Sequence, residues 1–428
     1  MPNVVRPRAA LPLSRRIFAA LSIATAPSFV PSMGFAQAPT TPDLVITNAS
    51  LIDGARGAFA TGATVVIRDG KIAQVATGAA TVPPGATVID ARGRYLLPGL
   101  IDAHTHIASL ANARRALESG VTTIRSASTP AFQDVALREA VRGGVIAGPD
   151  VVAAGLFVSP ELGDGMLGDP RLPRLAGAMQ SEAGLREAVR INLDRGVDVI
   201  KTRGTERAGL PNTDPRKQSY TEQQLSWIVD EASKKNVPVM AHAHGDEGAY
   251  AAVKAGVRSI EHGSFLSDST LQLMRQKGTF LVPTYVTVFD LTQPGGDYDD
   301  PALTIRGDFM LPALGETVKR AHRMGISIAT GADTQYGPES LSRIAGEAAF
   351  FVALGMTPLE AIRSATMVSA RLLGLDQRIG QVKEGYEADL ILVESNPLQD
   401  IRALADVLVV ISNGTIALNR TPFAKPAH

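Results

Sequence analysis

The sequence predicts an α/β protein, a (β/α)8 barrel inserted into a small β-sandwich made from the N- and C-terminal segments. Three observations carry this prediction. A phrase of polar helix, Gly or Asn stop and short β-branched run recurs through the middle of the chain, whereas both ends read as short alternating strands. The polar residues that close the central strands are, in addition, nearly all of metal-ligand type.

The first 38 residues stand apart, with four arginines and no acid, then a mostly apolar run from Ile17 to Pro31, then Ala36-Gln37-Ala38. A basic start, a short apolar stretch and an A-x-A site make residues 1–38 an export signal, and Arg15-Arg16 within Ser14-Arg-Arg-Ile-Phe resembles a twin-arginine signal. The apolar run is shorter than the ~20 residues of a spanning helix. Pro39 directly after the proposed cut leaves a different cleavage point open. The mature protein is expected in the periplasm or secreted, away from the membrane.

Residues 39–98 follow with strands such as Asp43-Leu-Val-Ile-Thr and Thr64-Val-Val-Ile-Arg-Asp-Gly, and residues 379–428 repeat that style in Asp389-Leu-Ile-Leu-Val and Val407 to Ser412. Neither piece can bury a core alone, so the two are expected to form one composite domain around the barrel of residues 99–378.

The barrel strands come in order. The first runs from Leu100 to His106 and the second is Gly120-Val-Thr-Thr-Ile. Asp150 to Gly155, Gly196-Val-Asp-Val-Ile, Asn236-Val-Pro-Val-Met and Gly256-Val-Arg-Ser-Ile follow, then Thr279 to Thr284 and finally Gly325-Ile-Ser-Ile-Ala. Gly or Asn just past a helix is a left-handed cap, and four to six apolar residues suit a strand buried on both faces. Helix starts are marked as well, as by the capping box Thr221-Glu-Gln-Gln224.

Composition narrows the chemistry. The 428 residues carry 42 basic and 42 acidic side chains and no cysteine. Balanced charge without a basic run excludes nucleic acid as the expected partner, and the missing cysteines exclude thiolate metal sites, cysteine nucleophiles and disulfides. A metal must then be held by His, Asp, Glu or a modified Lys. Of seven histidines, five fall at 104/106, 242/244 and 262.

These positions end strands, where a parallel barrel places its chemistry. Strand one ends Asp102-Ala-His104-Thr-His106, strand four Ile200-Lys201, strand five His242-Ala-His244, strand six Glu261-His262 and strand eight Thr330-Gly-Ala-Asp333. His104 to Asp333 spans 229 residues over seven units, about 33 each, as such units require. An HxH pair alone is weak, but with His242, His262 and Asp333 on other strands it makes a metal centre. Lys201 has the wrong charge for such a place. Burial lowers a lysine's pKa, and the neutral amine can take up carbon dioxide to give a carbamate whose oxygens bridge two divalent ions. The alternative is a lysine paired with Asp198.

Leu97-Pro-Gly-Leu-Ile-Asp-Ala-His-Thr-His106, Asp198-Val-Ile-Lys201, His242-Ala-His-Gly245, Ser259-Ile-Glu-His262-Gly and Thr330-Gly-Ala-Asp333 resemble the amidohydrolase superfamily over nearly the whole chain after the leader. Within it the sequence is most similar to the binuclear zinc branch of Xaa-Pro and Xaa-Arg dipeptidases, imidazolonepropionase-like proteins and ochratoxin-hydrolysing amidohydrolases. The resemblance implies two divalent ions, zinc by preference: His104, His106 and Asp333 on the first, His242 and His262 on the second, and carboxylated Lys201 between them. It implies Asp333 as general base for a metal-bridging hydroxide that cleaves an N-acyl or aryl-acyl amino acid or dipeptide, and a homo-oligomer. The family's strand-five ligand matches His242, so His244 is expected outside the metal set, donating to the scissile carbonyl or a substrate carboxylate. Arg203 and Tyr285 are candidate substrate anchors, and the segments Phe157 to Arg174 and Asp290 to Pro301 are candidate specificity loops. His322 and His428 are expected at the surface without a role.

Two other readings compete. A deaminase or cyclic-amide hydrolase of the same superfamily is disfavoured because a deaminase carries Glu where His244 stands and has no use for Lys201. A periplasmic metal-binding barrel without turnover would not need Asp333 as a base.

Overall fold

The structure, a computed structural model, describes residues 43–423 apart from 79, 210 and 211. The expected export signal and His428 lie outside the described residues.

Strands Leu44–Asp53, Gly57–Arg68, Lys71–Thr77, Thr87–Asp90 and Tyr95–Pro98 join Leu390–Val393, Val407–Ser412 and Thr415–Asn419 in one eight-stranded sheet. The seam between the two chain ends is an antiparallel pairing of Tyr95–Pro98 with Leu390–Val393, Leu97 opposite Ile391. Alternation in both segments has a common cause: Ile46, Val65, Ile67, Leu96, Leu390 and Leu392 turn into a single apolar cluster on this sheet.

Seven parallel strands follow the predicted order. Leu100–Thr105, Val121–Ser126 and Asp150–Val152 form one sheet, and Ile200–Arg203, Val239–Ala243, Ser259–His262 and Phe280–Val282 another. Backbone bonds from Asp198 N to Ala153 O (2.8 Å) and from Val158 N to Lys201 O (2.9 Å) connect the two edges. The third strand stops at Val152, short of Gly155, because the N–H groups of Ala154 and Gly155 donate to the Asp134 carboxylate at 2.8 and 2.9 Å instead of to a neighbouring strand.

The expected eighth strand is a run of single bridges, Ile328 with Leu281 and Thr334 with Thr105. Bonds from Ala329 N to Leu281 O (2.9 Å) and from Ala103 N to Thr330 O (3.0 Å) tie it to both sheets. Its ladder breaks where the backbone passes close to strand one. A Cβ on Gly331 would lie 2.8 Å from His104 Cβ, and Asp333 then turns to φ 43°.

Helices behave as their start and stop signals predict. Thr221 caps Glu222–Ser233 in a complete capping box, and Asn236 and Gly256 sit at φ 56° and 101° after their helices. The C-terminal ends of the parallel strands meet on one side of the molecule. Among the described residues no helix is long and apolar enough to cross a membrane.

Candidate metal centre

Two groups of ligand-type side chains form at those strand ends. His104, His106 and Asp333 make one and His242, His244 and His262 the other, with candidate ligand atoms in each group within 4.8 Å of one another. The rings of His104 and His262, one from each group, lie 5.1 Å apart. Lys201 borders both groups, 2% exposed, with Nζ 3.3 Å from His104 Nε2. Asp198 does not pair with it, because its carboxylate is bound by Arg138 at 2.5 Å.

A second layer fixes how each imidazole presents itself. His106 Nδ1 is 2.8 Å from the carbonyl oxygen of Ser128, which can only accept, so Nδ1 carries the proton and Nε2 a lone pair. His242 Nε2 likewise meets the Glu206 carbonyl at 3.2 Å, leaving Nδ1 free. His104 Nδ1 donates to Glu261 Oε2 at 2.7 Å. His262 and His244 are held through Nδ1 by Thr284 Oγ1 and Ser264 Oγ, both at 2.8 Å. Such partners set tautomer and ring orientation in metal sites.

Burial keeps the rings of His104, His242, His244 and His262 neutral. It is the largest cause lowering His104 and His244 to about 4, and it drives His242 and His262 well below the ordinary imidazole value, each helped by neighbouring positive charge. Burial also lowers Lys201 to about 8, against the pull of Glu261 and Asp333. Burial opposes ionisation of Asp333, whereas positive charge on His104, His106 or Lys201 favours it and would hold the carboxyl below the usual carboxylate range.

The donor set fits a metal. Nε2 of His106 and of His104 face Asp333 Oδ1 at 3.2 and 3.5 Å. Two lone pairs and a carboxylate oxygen thus converge without a proton between them, and an electron-poor centre is what satisfies that arrangement. Backbone strain is concentrated here as well, with His262 at φ 71°, Thr284 at 49° and Asp333 at 43° on three successive strand ends.

The centre opens into a cavity of about 710 Å³. Its lining combines apolar side chains, among them Leu156, Phe157, Leu291 and Met310, with the cations Arg203 and Arg207. Both predicted specificity loops contribute to it. Arg203 is buried against Glu161, with its Nε buried and unpartnered.

Tyr285 does not line this cavity. It opens the helix Tyr285–Asp290 and packs on Phe350, ring centroids 5.0 Å apart, because Thr284 in the left-handed region turns the chain away from the site. Tyr298 supplies the aromatic hydroxyl instead, donating to the Asp333 carbonyl at 3.2 Å. His244 lies as close to His262 (ring centroids 4.7 Å) as His242 does (4.6 Å), so the structure groups it with two expected ligands rather than apart from them. His322 is half-buried and 3.3 Å from Glu360, remote from the centre.

Arg125 and Glu261, both fully buried beneath His104, were not singled out in the sequence. Arg125 Nη2 lies 2.9 and 3.0 Å from the two oxygens of Glu261. Glu261 precedes His262 in the sequence, and a carboxylate next to a ligand-type residue at a buried strand end was the available signal.

Fold and site together define an α/β enzyme with its chemistry at the ends of parallel strands. Residues 95–417 match the amidohydrolase family, and the chain belongs to that family, a hydrolase of the amidohydrolase superfamily. It is 31% identical over 357 residues to the ochratoxinase of Aspergillus niger, covering 73% of this chain and 72% of that one. A crystal structure of a Xaa-Pro dipeptidase with methionine bound in the active site is similar with a TM-score of 0.78 and 27% identity, covering 87% of this chain and 99% of that one. A prolidase complexed with N-methylphosphonate-L-proline gives a TM-score of 0.77 at 30% identity, with 87% and 99% covered.

Proposed function

We propose that the protein is a binuclear metallo-amidohydrolase that cleaves the amide bond between an acyl or aryl-acyl group and an amino acid bearing a free carboxylate. The observation that carries this reading is the pair of ligand groups, three side chains each, on either side of a buried lysine. His104, His106 and Asp333 would hold one ion and His242 and His262 the other, with His244 beside the second. Lys201 in its neutral form would add carbon dioxide at Nζ, releasing one proton, and so offer the ions a carboxylate donor where an ammonium would repel them. The ions, zinc by preference, supply Lewis acidity toward the carbonyl and an activated water when bound.

The chain's own residues do the rest. Asp333, beside His104 and His106, accepts the proton of the attacking water and returns it to the departing amine. Glu261 holds the His104 ring in the tautomer that leaves Nε2 free, and Thr284 orients the His262 ring. The apolar part of the lining would take the acyl or aryl group, while Arg203 and Arg207 would meet the substrate carboxylate. The names of the ochratoxinase and dipeptidase relatives support that substrate class.

The same proposal includes closure of the parallel strands into a (β/α)8 barrel over residues 99–378, with residues 39–98 and 379–428 forming the composite β domain. It includes export under the signal of residues 1–38. The test of the activity is a screen of N-acyl amino acids and dipeptides with zinc and bicarbonate, each free acid compared with its methyl ester. Preference for the acid is expected, and equal kcat/KM for both would remove the carboxylate-directed reading.

A further inference from the structure

Three carboxylates meet at the opposite, N-terminal mouth of the parallel strands. Asp150 opens the strand Asp150–Val152, and Glu387 and Asp389 lead into Leu390–Val393. One oxygen of each lies within 4.8 Å of one oxygen of the others. Arg378 pairs with Glu387 Oε1 at 2.5 Å and balances one of the three charges. Asn413 donates from its backbone N to Asp389 Oδ1 (2.8 Å) and from its side chain to Asp150 Oδ1 (3.1 Å).

Other oxygens of the cluster have no donor. Asp389 is 3% exposed, and its Oδ2, like Glu387 Oε2, is buried without a hydrogen-bond partner. An independent observation comes from another strand. Thr123 pairs in register with Asp150 on the adjoining parallel strand, so the two side chains leave the sheet on the same face. Its Oγ1 is fully buried and also unpartnered. Buried polar atoms are rarely left so, and three around one cluster point to a missing electron-poor partner.

We propose that Asp150, Glu387, Asp389 and Thr123 hold a hard divalent cation, Ca²⁺ or Mg²⁺, at the seam between the parallel strands and the mixed sheet, separate from the histidine centre. All the available donors are oxygens, which suits these ions and not the nitrogen-preferring zinc. The position gives the ion a structural task. Asp389 O accepts from Gly99 N (2.8 Å) at the entry to the first parallel strand, and Ala388 N donates to Gly70 O (2.8 Å) in the N-terminal hairpin. A cation here clamps three distant stretches of chain on the face where barrels keep their stability rather than their chemistry. The rival occupant is a proton shared among the carboxyl groups.

The test uses the full zinc-loaded chain in buffer freed of calcium and magnesium. CaCl₂ or MgCl₂ is titrated to millimolar levels at constant zinc, followed by equilibrium dialysis with metal analysis and by thermal melting. The expected result is one further equivalent of Ca²⁺ or Mg²⁺ per chain and a saturable rise in Tm of about 3–5 °C. Both should be lost in Asp389→Asn and weakened in the near-isosteric Thr123→Val, with hydrolysis at constant zinc unchanged. No saturable binding, or binding equal to wild type in both variants, overturns the proposal. So does an Asp389→Asn protein that melts higher than wild type with no cation effect in either, which assigns the cluster to a shared proton. Binding and melting are read without substrate, so failure of the hydrolase reading leaves the test intact.

Discussion

Replacing Glu261 by Gln probes the buried layer that aims His104. Glu261 Oε2 is 2.7 Å from His104 Nδ1, and its two oxygens lie 2.9 and 3.0 Å from Arg125 Nη2, with Ser259 Oγ at 2.5 Å. Gln keeps the shape and one acceptor for the imidazole, but it removes the charge that accompanies the Arg125 guanidinium into the interior. Removing one partner of a buried ion pair costs about 3–5 kcal/mol. In a chain of this size that loss lowers Tm by about 4–6 °C. Disturbing a ligand's outer partner also weakens metal binding by about 10–100-fold. Circular-dichroism melts and competitive zinc titration read the two effects, and kcat/KM should fall at limiting zinc and largely recover at saturating zinc. Arg125→Met combined with Glu261→Gln should be milder than Glu261→Gln alone, because no bare cation is left buried. A Glu261→Gln protein with wild-type melting and wild-type zinc affinity would refute the reasoning.

Lys201→Ala should reduce activity by roughly two orders of magnitude, with partial return on adding acetate or propionate; full activity without the additive contradicts the bridging role. Because only the free amine takes up carbon dioxide and burial sets Lys201 near a pKa of about 8, its reactive fraction grows as pH rises toward that value. Reactivation of metal-stripped enzyme at fixed dissolved carbon dioxide should therefore speed up about tenfold per pH unit below it and level off above, whereas a flat profile contradicts the assignment. Arg207→Met should raise KM for free-acid substrates by about 10–100-fold while sparing their methyl esters, and Tyr285→Phe should leave both unchanged; the same loss for acid and ester removes the anchor. Mass spectrometry of the protein from its native host's envelope should find a mature N-terminus near Pro39, and an intact Met1 there contradicts export.

The parts of this molecule legible in its sequence are those with a local cause. Asn236 and Gly256 announce strand starts because a left-handed residue is needed after a helix, and the alternation of the two chain ends follows from one buried face. The ligand set was largely legible because strand ends were: His104 and His242 stand one residue before the ends of theirs, whereas Lys201 is second in Ile200–Arg203, a strand that runs two residues further than its sequence suggested. What escaped is set by departures from regular geometry. Glu261 and His262 are neighbours that alternation would send to opposite faces, yet both reach the centre, since His262 at φ 71° turns the chain. The same device at Thr284 swings Tyr285 out of the cavity and leaves Tyr298, thirteen residues on, to meet Asp333. The grouping of His244 with His262 depends on Ser264 orienting its ring, a contact between two strand ends that no local pattern encodes.

Anomalous diffraction at the zinc edge, from crystals grown with zinc and bicarbonate, reads the number of ions and their ligands in one experiment. Two zinc peaks are expected, one bound by His104, His106 and Asp333 and the other by His242 and His262, with a carboxylate on Lys201 Nζ reaching both. A single zinc held by His242, His244 and His262, with Lys201 a free amine at full occupancy, would contradict the binuclear reading.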